Sequence, residues 1–177
     1  FYTLAAPMPI DNGASQSAGG LAVSIGPVAI PALVDRPQIV VAVGQNEVWP
    51  DEYHRWAAPL ADTIGLALVG HVGALLPSPR VMLLAQSAGG AADTRVAVEV
   101  QRFDSAPGSF ALVDALFTVR STATGRAVTG RTTAREVPDD ASYDALAAAH
   151  GRAVARLAAD SAAAIESVNA RGPSPAH

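Results

Sequence analysis

The sequence predicts one α+β domain, a mainly antiparallel sheet with a three-strand meander and two helices packed on one face, and three observations lead there. Apolar residues alternate with period two in several short runs bounded by proline or glycine. Two longer stretches, Leu60 to Leu76 and Tyr143 onward, change to a helical period. The order is strands, helix, strand, meander and helix, with no internal repeat of about 20 to 50 residues. At 177 residues the chain can bury about two-thirds of its extended surface in a single core. The predicted domain is therefore 1–177, with a flexible loop at 11–20 and a frayed tail at 170–177.

Phe1 to Leu4 reads as the start of a strand. Asp11 to Gly20 is small, polar and glycine-rich and reads as a loop. Leu21, Val23 and Ile25 alternate with Ala22 and Ser24, a half-buried strand. Pro31 and Pro37 bracket a bend, because each fixes its own φ and pushes the preceding residue away from helix. Ile39 to Val43 is a short buried strand, and Asp51, Glu52 and His54 read as a solvated charged turn.

In the first helix, Leu60, Ile64, Ala67, Leu68, His71 and Leu75 share a face, while Leu66, Val69 and Leu76 leave the other side apolar too. Such a helix is doubly covered or presented to a partner or a second copy. It is not a membrane span, because it holds Asp62, Thr63, His71 and three glycines where a span needs about 20 apolar residues. Arg80 to Leu84 is a strand, and Ala85 to Ala92 a loop. Val96, Val98 and Val100 open the meander, Pro107-Gly108 turns it, and Ala111, Val113, Ala115, Phe117 and Val119 share a face of its second strand. Its third strand, Arg126 to Val137, carries Arg126, Arg131 and Arg135 and suits a charged edge that resists strand addition. Asp139, Asp140 and Ser142 provide cap chemistry for the last helix, whose buried stripe is Tyr143, Leu146, His150, Leu157, Ala164, Ile165 and Val168.

Hydrophobic residues make up 50% and charged residues 16%, which excludes disorder. The net charge is -4 and all cations are arginine, a balance that argues against general nucleic-acid binding. There is no cysteine, so no disulfide, thiolate metal site or thiol nucleophile. The chain starts on Phe1 without a charged leader, as a processed or truncated precursor would.

Ala85-Gln86-Ser87-Ala88-Gly89-Gly90 imitates the nucleophile elbow of a serine hydrolase, with Asp114 and His150 following in order. An elbow leads into a helix, whereas the next element here is a strand, so a loop is the favoured reading. His54 beside Asp51 and Glu52 has no metal-ligand spacing, and His71 and His150 lie on apolar stripes as core histidines do. Gly44-Gln45-Asn46 is too short for a phosphate loop. No catalytic, metal or cofactor-binding residue is assigned. Arg120, Arg126, Arg131 and Arg135 either cluster to meet lipid phosphates or protect an edge, and edge protection is favoured.

Two proline-bounded motifs stand out, Asp35-Arg36-Pro37-Gln38-Ile39-Val40 and Arg55-Trp56-Ala57-Ala58-Pro59-Leu60. With Phe1-Tyr2-Thr3-Leu4 before them and the helix from Tyr143 through Ile165 after them, the chain resembles the ABC-type transport auxiliary lipoprotein component family, of the paraquat-inducible protein C type. It departs from that family at Ala58, where an acidic residue is usual, and in having no lipid-bearing cysteine ahead of Phe1. The resemblance implies a non-enzymatic lipoprotein on the periplasmic side of the outer membrane, anchored through its precursor. It would act in lipid transport with a mammalian-cell-entry-type substrate-binding protein and inner-membrane transporter components. The candidate interaction or motif residues are Asp35, Arg36, Pro37, Gln38, Arg55, Trp56, Pro59, Leu66 and Val69. A serine hydrolase using Ser87 and a periplasmic lipid carrier with its own apolar cavity are the alternatives.

Overall fold

The computed structural model describes residues 1–4, 6, 20–44, 46–77, 80–86 and 92–170. The predicted loop at 11–20 lies outside them except for Gly20, as do Ser87 and the tail from 171. Among the described residues the elements are β1 (Ala22–Ala29), β2 (Gln38–Ala42), β3 (Val48–Arg55), α1 (Leu60–Leu75), β4 (Arg80–Leu83), β5 (Thr94–Ala106), β6 (Phe110–Ser121), β7 (Ala127–Glu136) and α2 (Tyr143–Asn169). The α+β class stands, with both helices on one face of a five-stranded sheet ordered β4-β1-β5-β6-β7.

The meander β5-β6-β7 is antiparallel as predicted, and every residue of the Ala111-to-Val119 stripe is buried. β1 pairs in parallel with both β4 and β5. This parallel half arises because α1 carries the chain from the β1 side back to β4, and a strand returning from a helical crossover runs parallel to its partner. The pairing of β1 shifts at Gly26-Pro27, where proline offers no amide donor.

Three expectations need correction. Phe1 to Leu4 forms only a single bridge, Tyr2 to Trp56, rather than a strand. Asp51, Glu52 and His54 lie in β3, which pairs antiparallel with β2 as a separate two-stranded sheet. Only their neighbourhood retains the turn: Asp51 Oδ1 accepts the N–H groups of Tyr53 and His54, at 2.8 and 2.9 Å. In α1, Leu75 is exposed and Leu76 buried, the reverse of the predicted stripe. The inner face runs Leu60, Ile64, Ala67, Leu68 and Val72.

α2 is an alanine-rich helix whose small side chains let it lie close on β6 and β7 while α1 packs beside it. Ser142 caps it by accepting the Ala145 N–H at 3.1 Å. At the other end Thr124 Oγ1 donates to Val168 O and Arg126 to Ala170 O, satisfying carbonyls that the last turn leaves free. Arg156 and Arg152 reach Glu136 and fasten the same helix to β7.

Gly130 on β7 faces Phe117 on β6, its register partner. A Cβ at Gly130 would stand 2.3 Å from Phe117 Cζ, so the ring occupies the space of the missing side chain. Gly130→Ala is expected to lower stability in urea unfolding by about 1–3 kcal/mol, and Phe117→Leu in the same chain to recover part of it. An unchanged midpoint would show that the ring is free to move away.

Candidate functional site

The candidate site is the β2-β3 hairpin where it meets the first turn of α2. The two proline-bounded motifs flank it. Asp35, Arg36 and Pro37 are exposed on the bend before β2, which is closed by the Val34 and Asp35 N–H groups donating to Pro31 O. Gln38 begins β2 and pairs with Arg55, the exposed end of β3. Pro59 is the exposed cap residue of α1 and gives it no side-chain cap.

Trp56 turns inward. It is 5% exposed, with its ring edge-on to Phe103 at 6.0 Å and to His150 at 6.3 Å. Its backbone N–H donates to Pro37 O, so one residue closes the bend, ends the hairpin and enters the core. The structure therefore gives Trp56 a packing role.

His150 stacks on Phe103 at 3.9 Å and lies 2.8 Å from Ser105 Oγ through Nε2. Burial pushes its pKa down to about 3, so the imidazole is neutral. Nδ1 has no partner among the described residues. The Nε2–H tautomer fits best, since it leaves an acceptor rather than an N–H donor unsatisfied. Asp114 sits on the opposite face of the sheet, accepting Arg131 at 2.8 and 2.6 Å and Thr133 at 3.1 Å. The Asp114 and His150 of the hydrolase alternative are thus not brought together.

Sequence reasoning missed the group that fastens the hairpin. Tyr143 OH donates to Asp51 Oδ2 at 2.5 Å, and Asp51 Oδ1 also takes the His54 Nδ1–H at 2.9 Å. The His54 and Tyr143 rings lie parallel, 3.7 Å apart, with Tyr2 tilted against both. Burial pushes the Asp51 carboxyl up, but donors from Tyr143, His54 and the Tyr53 and His54 amides outweigh it and hold the pKa well below the usual range. Burial and the adjoining Asp51 carboxylate push Tyr143 up to about 12. A carboxylate so fully engaged is a clasp, not a free base. The only signal in the sequence was the polar start of a helical stripe at Tyr143, which no local pattern connects to Asp51 92 residues away.

With its inner residues fixed, the hairpin directs others outward. Trp49 is 61% exposed and Tyr53 88%, with Val43, Val48 and Phe1 also exposed. Trp49 Nε1 donates to Glu47 at 2.9 Å. On α1, Leu66 is 51% exposed and Val69 half-buried against the core. Near the start of α1 a cleft of about 330 Å³ is lined by Val28, Ala61, Asp62, Gly65, Leu83 and Leu84. The arginines named from sequence do not form one cluster: Arg131 forks onto Asp114, Arg135 lies 4.3 Å over the Phe110 ring, and Arg126 meets the end of α2. Arg120 is on β6, inside the sheet rather than on its edge. Among the described residues no group of three acidic, histidine or cysteine side chains is arranged to hold a metal, and no helix is long and apolar enough to cross a membrane.

The signs of the shifts set the pH window of the clasp. Asp51, with its folded pKa lowered, stabilises above the ordinary carboxyl value and loses that contribution as pH falls through the folded one. Tyr143, with its pKa raised, contributes fully below the ordinary phenol value and loses this as pH rises through about 12. Ultraviolet titration is expected to resolve one tyrosine step at about 12 that vanishes in Tyr143→Phe, with a stability loss of about 1.5 kcal/mol at neutral pH. Complete ionisation near the ordinary value of about 10 would show the clasp open in solution.

No curated protein matches the chain. Among solved structures, protein XCC0632 from Xanthomonas campestris aligns with a TM-score of 0.62 at 19% identity, covering 91% of this chain and 90% of its own. A crystal structure of an uncharacterized protein aligns with a TM-score of 0.71 at 17% identity, covering 81% of this chain and 90% of its own. At such identities these similarities speak for the fold. The family model described as ABC-type transport auxiliary lipoprotein component matches residues 2–162, nearly the whole described fold from Tyr2 to the body of α2. The chain belongs to the ABC-type transport auxiliary lipoprotein component family.

Proposed function

We propose that this chain is a non-enzymatic interaction module of an envelope lipid-transport system, working between the outer membrane and periplasmic components. Its partners in this reading are a mammalian-cell-entry-type substrate-binding protein and the inner-membrane transporter. The precursor carries the lipid anchor that holds the domain on the periplasmic side of the outer membrane. The observation that supports docking is the hairpin, which exposes Trp49 and Tyr53 while Trp56 and the Asp51-Tyr143 clasp fix it to the core. Exposed aromatics on a rigid support bind at low entropic cost, because few rotamers are frozen on contact. Asp35 and Arg36 on the adjoining bend extend the same surface. Leu66 and Val69 on α1 form a second apolar contact, which this reading gives to self-association.

A photo-crosslinking residue at Tyr53, introduced in the anchored precursor in cells, is expected to capture a transporter or mammalian-cell-entry-type component. Tyr53→Ala with Trp49→Ala should reduce co-purification of that component at least about tenfold, the loss expected from removing a pair of aromatic anchors, without lowering the melting temperature. Recovery of no transport component by either route would contradict the proposal.

A further inference from the structure

Most charged side chains on the outward face of the meander β5-β6-β7 have a partner. Arg102 pairs with Asp104 and Arg131 with Asp114, Arg135 lies over Phe110, and Glu99 accepts from Gln101. Arg95 on β5 and Arg120 on β6 are direct register partners, both exposed, with no hydrogen bond or ion pair among the described residues. Like charges placed directly opposite on one sheet face repel. Asp93, the acidic residue nearest in sequence, is turned to β1, where its Oδ2 accepts the Ala22 N–H at 2.9 Å.

Two rows of residues surround the pair. The register continues as a row Met82, Ser24, Arg95, Arg120, Ala127 across the five strands, and the next row on the meander is Ala97, Thr118, Thr129. Small side chains flank the arginines, and the Thr118 and Thr129 hydroxyls meet at 3.3 Å. Ser24, in register with Arg95, is fully buried, and its Oγ lacks a partner among the described residues.

We infer that Arg95 and Arg120 form a binding site for a phosphate group, on the face of the sheet away from the helices. Directly opposed residues of an antiparallel pair have Cβ atoms about 4.5–5.5 Å apart, a spacing from which two guanidinium forks converge on one tetrahedral anion. Each fork offers parallel N–H donors to phosphate oxygens. Binding replaces repulsion by two charge-assisted contacts. The shared chemistry is a phosphate mono- or diester, free or in a lipid headgroup. The site stands on strand register and charge, so it holds or fails independently of the transport proposal.

Two probes test it at low salt, where exposed charges are least screened. Inorganic phosphate is titrated while amide NMR shifts of Arg95, Arg120 and Ser24 are followed. Phosphatidylglycerol vesicles are tested by cosedimentation against phosphatidylcholine vesicles. Saturable shifts confined to this row, or sedimentation with phosphatidylglycerol alone, support the site, the first assigning a free phosphate group and the second a headgroup. Arg95→Gln and Arg120→Gln should each weaken binding about tenfold, the double variant should abolish it, and Arg102→Gln should leave it unchanged. Binding of neither probe, or binding retained by the double variant, would overturn the inference.

Discussion

The packing of Trp56 against Phe103 and His150 is the contact on which the rest of the structure depends. It joins three segments far apart in sequence: the end of the hairpin, the last part of β5 and the second turn of α2. An aromatic side chain buries about 150–250 Å², and deleting one from a core costs about 3–5 kcal/mol. An alanine-rich helix gains little burial per residue, so α2 relies on such large neighbours where it meets the hairpin. His150 serves here because burial keeps it neutral and Ser105 takes one ring nitrogen.

The same contact divides the hairpin into an inner and an outer half. Ile39, Val40 and Trp56 join the core, whereas Val48, Trp49 and Tyr53 face solvent. β3 is exposed along most of its length, and Pro50 within it removes a donor and suits a strand at a sheet edge. A two-stranded hairpin is marginal on its own in water. The Asp51-Tyr143 hydrogen bond and the His54-Tyr143 stack supply a second attachment, so its exposed aromatics are held at a fixed angle. That fixed angle is the feature on which the docking proposal rests.

Much of the fold was legible because it is encoded locally. The alternation of Val96, Val98 and Val100, the Ala111-to-Val119 stripe, the Pro107-Gly108 turn and the Ser142 cap each fix an element from adjacent residues, and all four are found in place. β3 was not legible, since Pro50, Asp51, Glu52 and His54 break the alternation that marks a strand and the pairing comes from β2. The parallel half of the sheet was hidden for a related reason: register between β1, β4 and β5 is set by tertiary packing. At the site, the proline-bounded motifs located the region, but not which side of it is buried. Trp56 is amphipathic and reads as an interface anchor or, slightly ahead, as a cap of the following helix, and Asp51, Tyr143, Arg95 and Arg120 gain meaning only from partners remote in sequence.

Hydrogen–deuterium exchange tests most directly whether the hairpin is a rigid extension of the core. The account predicts that the Val43 and Trp56 amides, bonded to Glu47 O and Pro37 O, exchange as slowly as those of β5, and that Trp56→Ala releases the whole hairpin while the meander stays protected. Fast exchange of those amides in the unaltered protein, with β5 still protected, would contradict it.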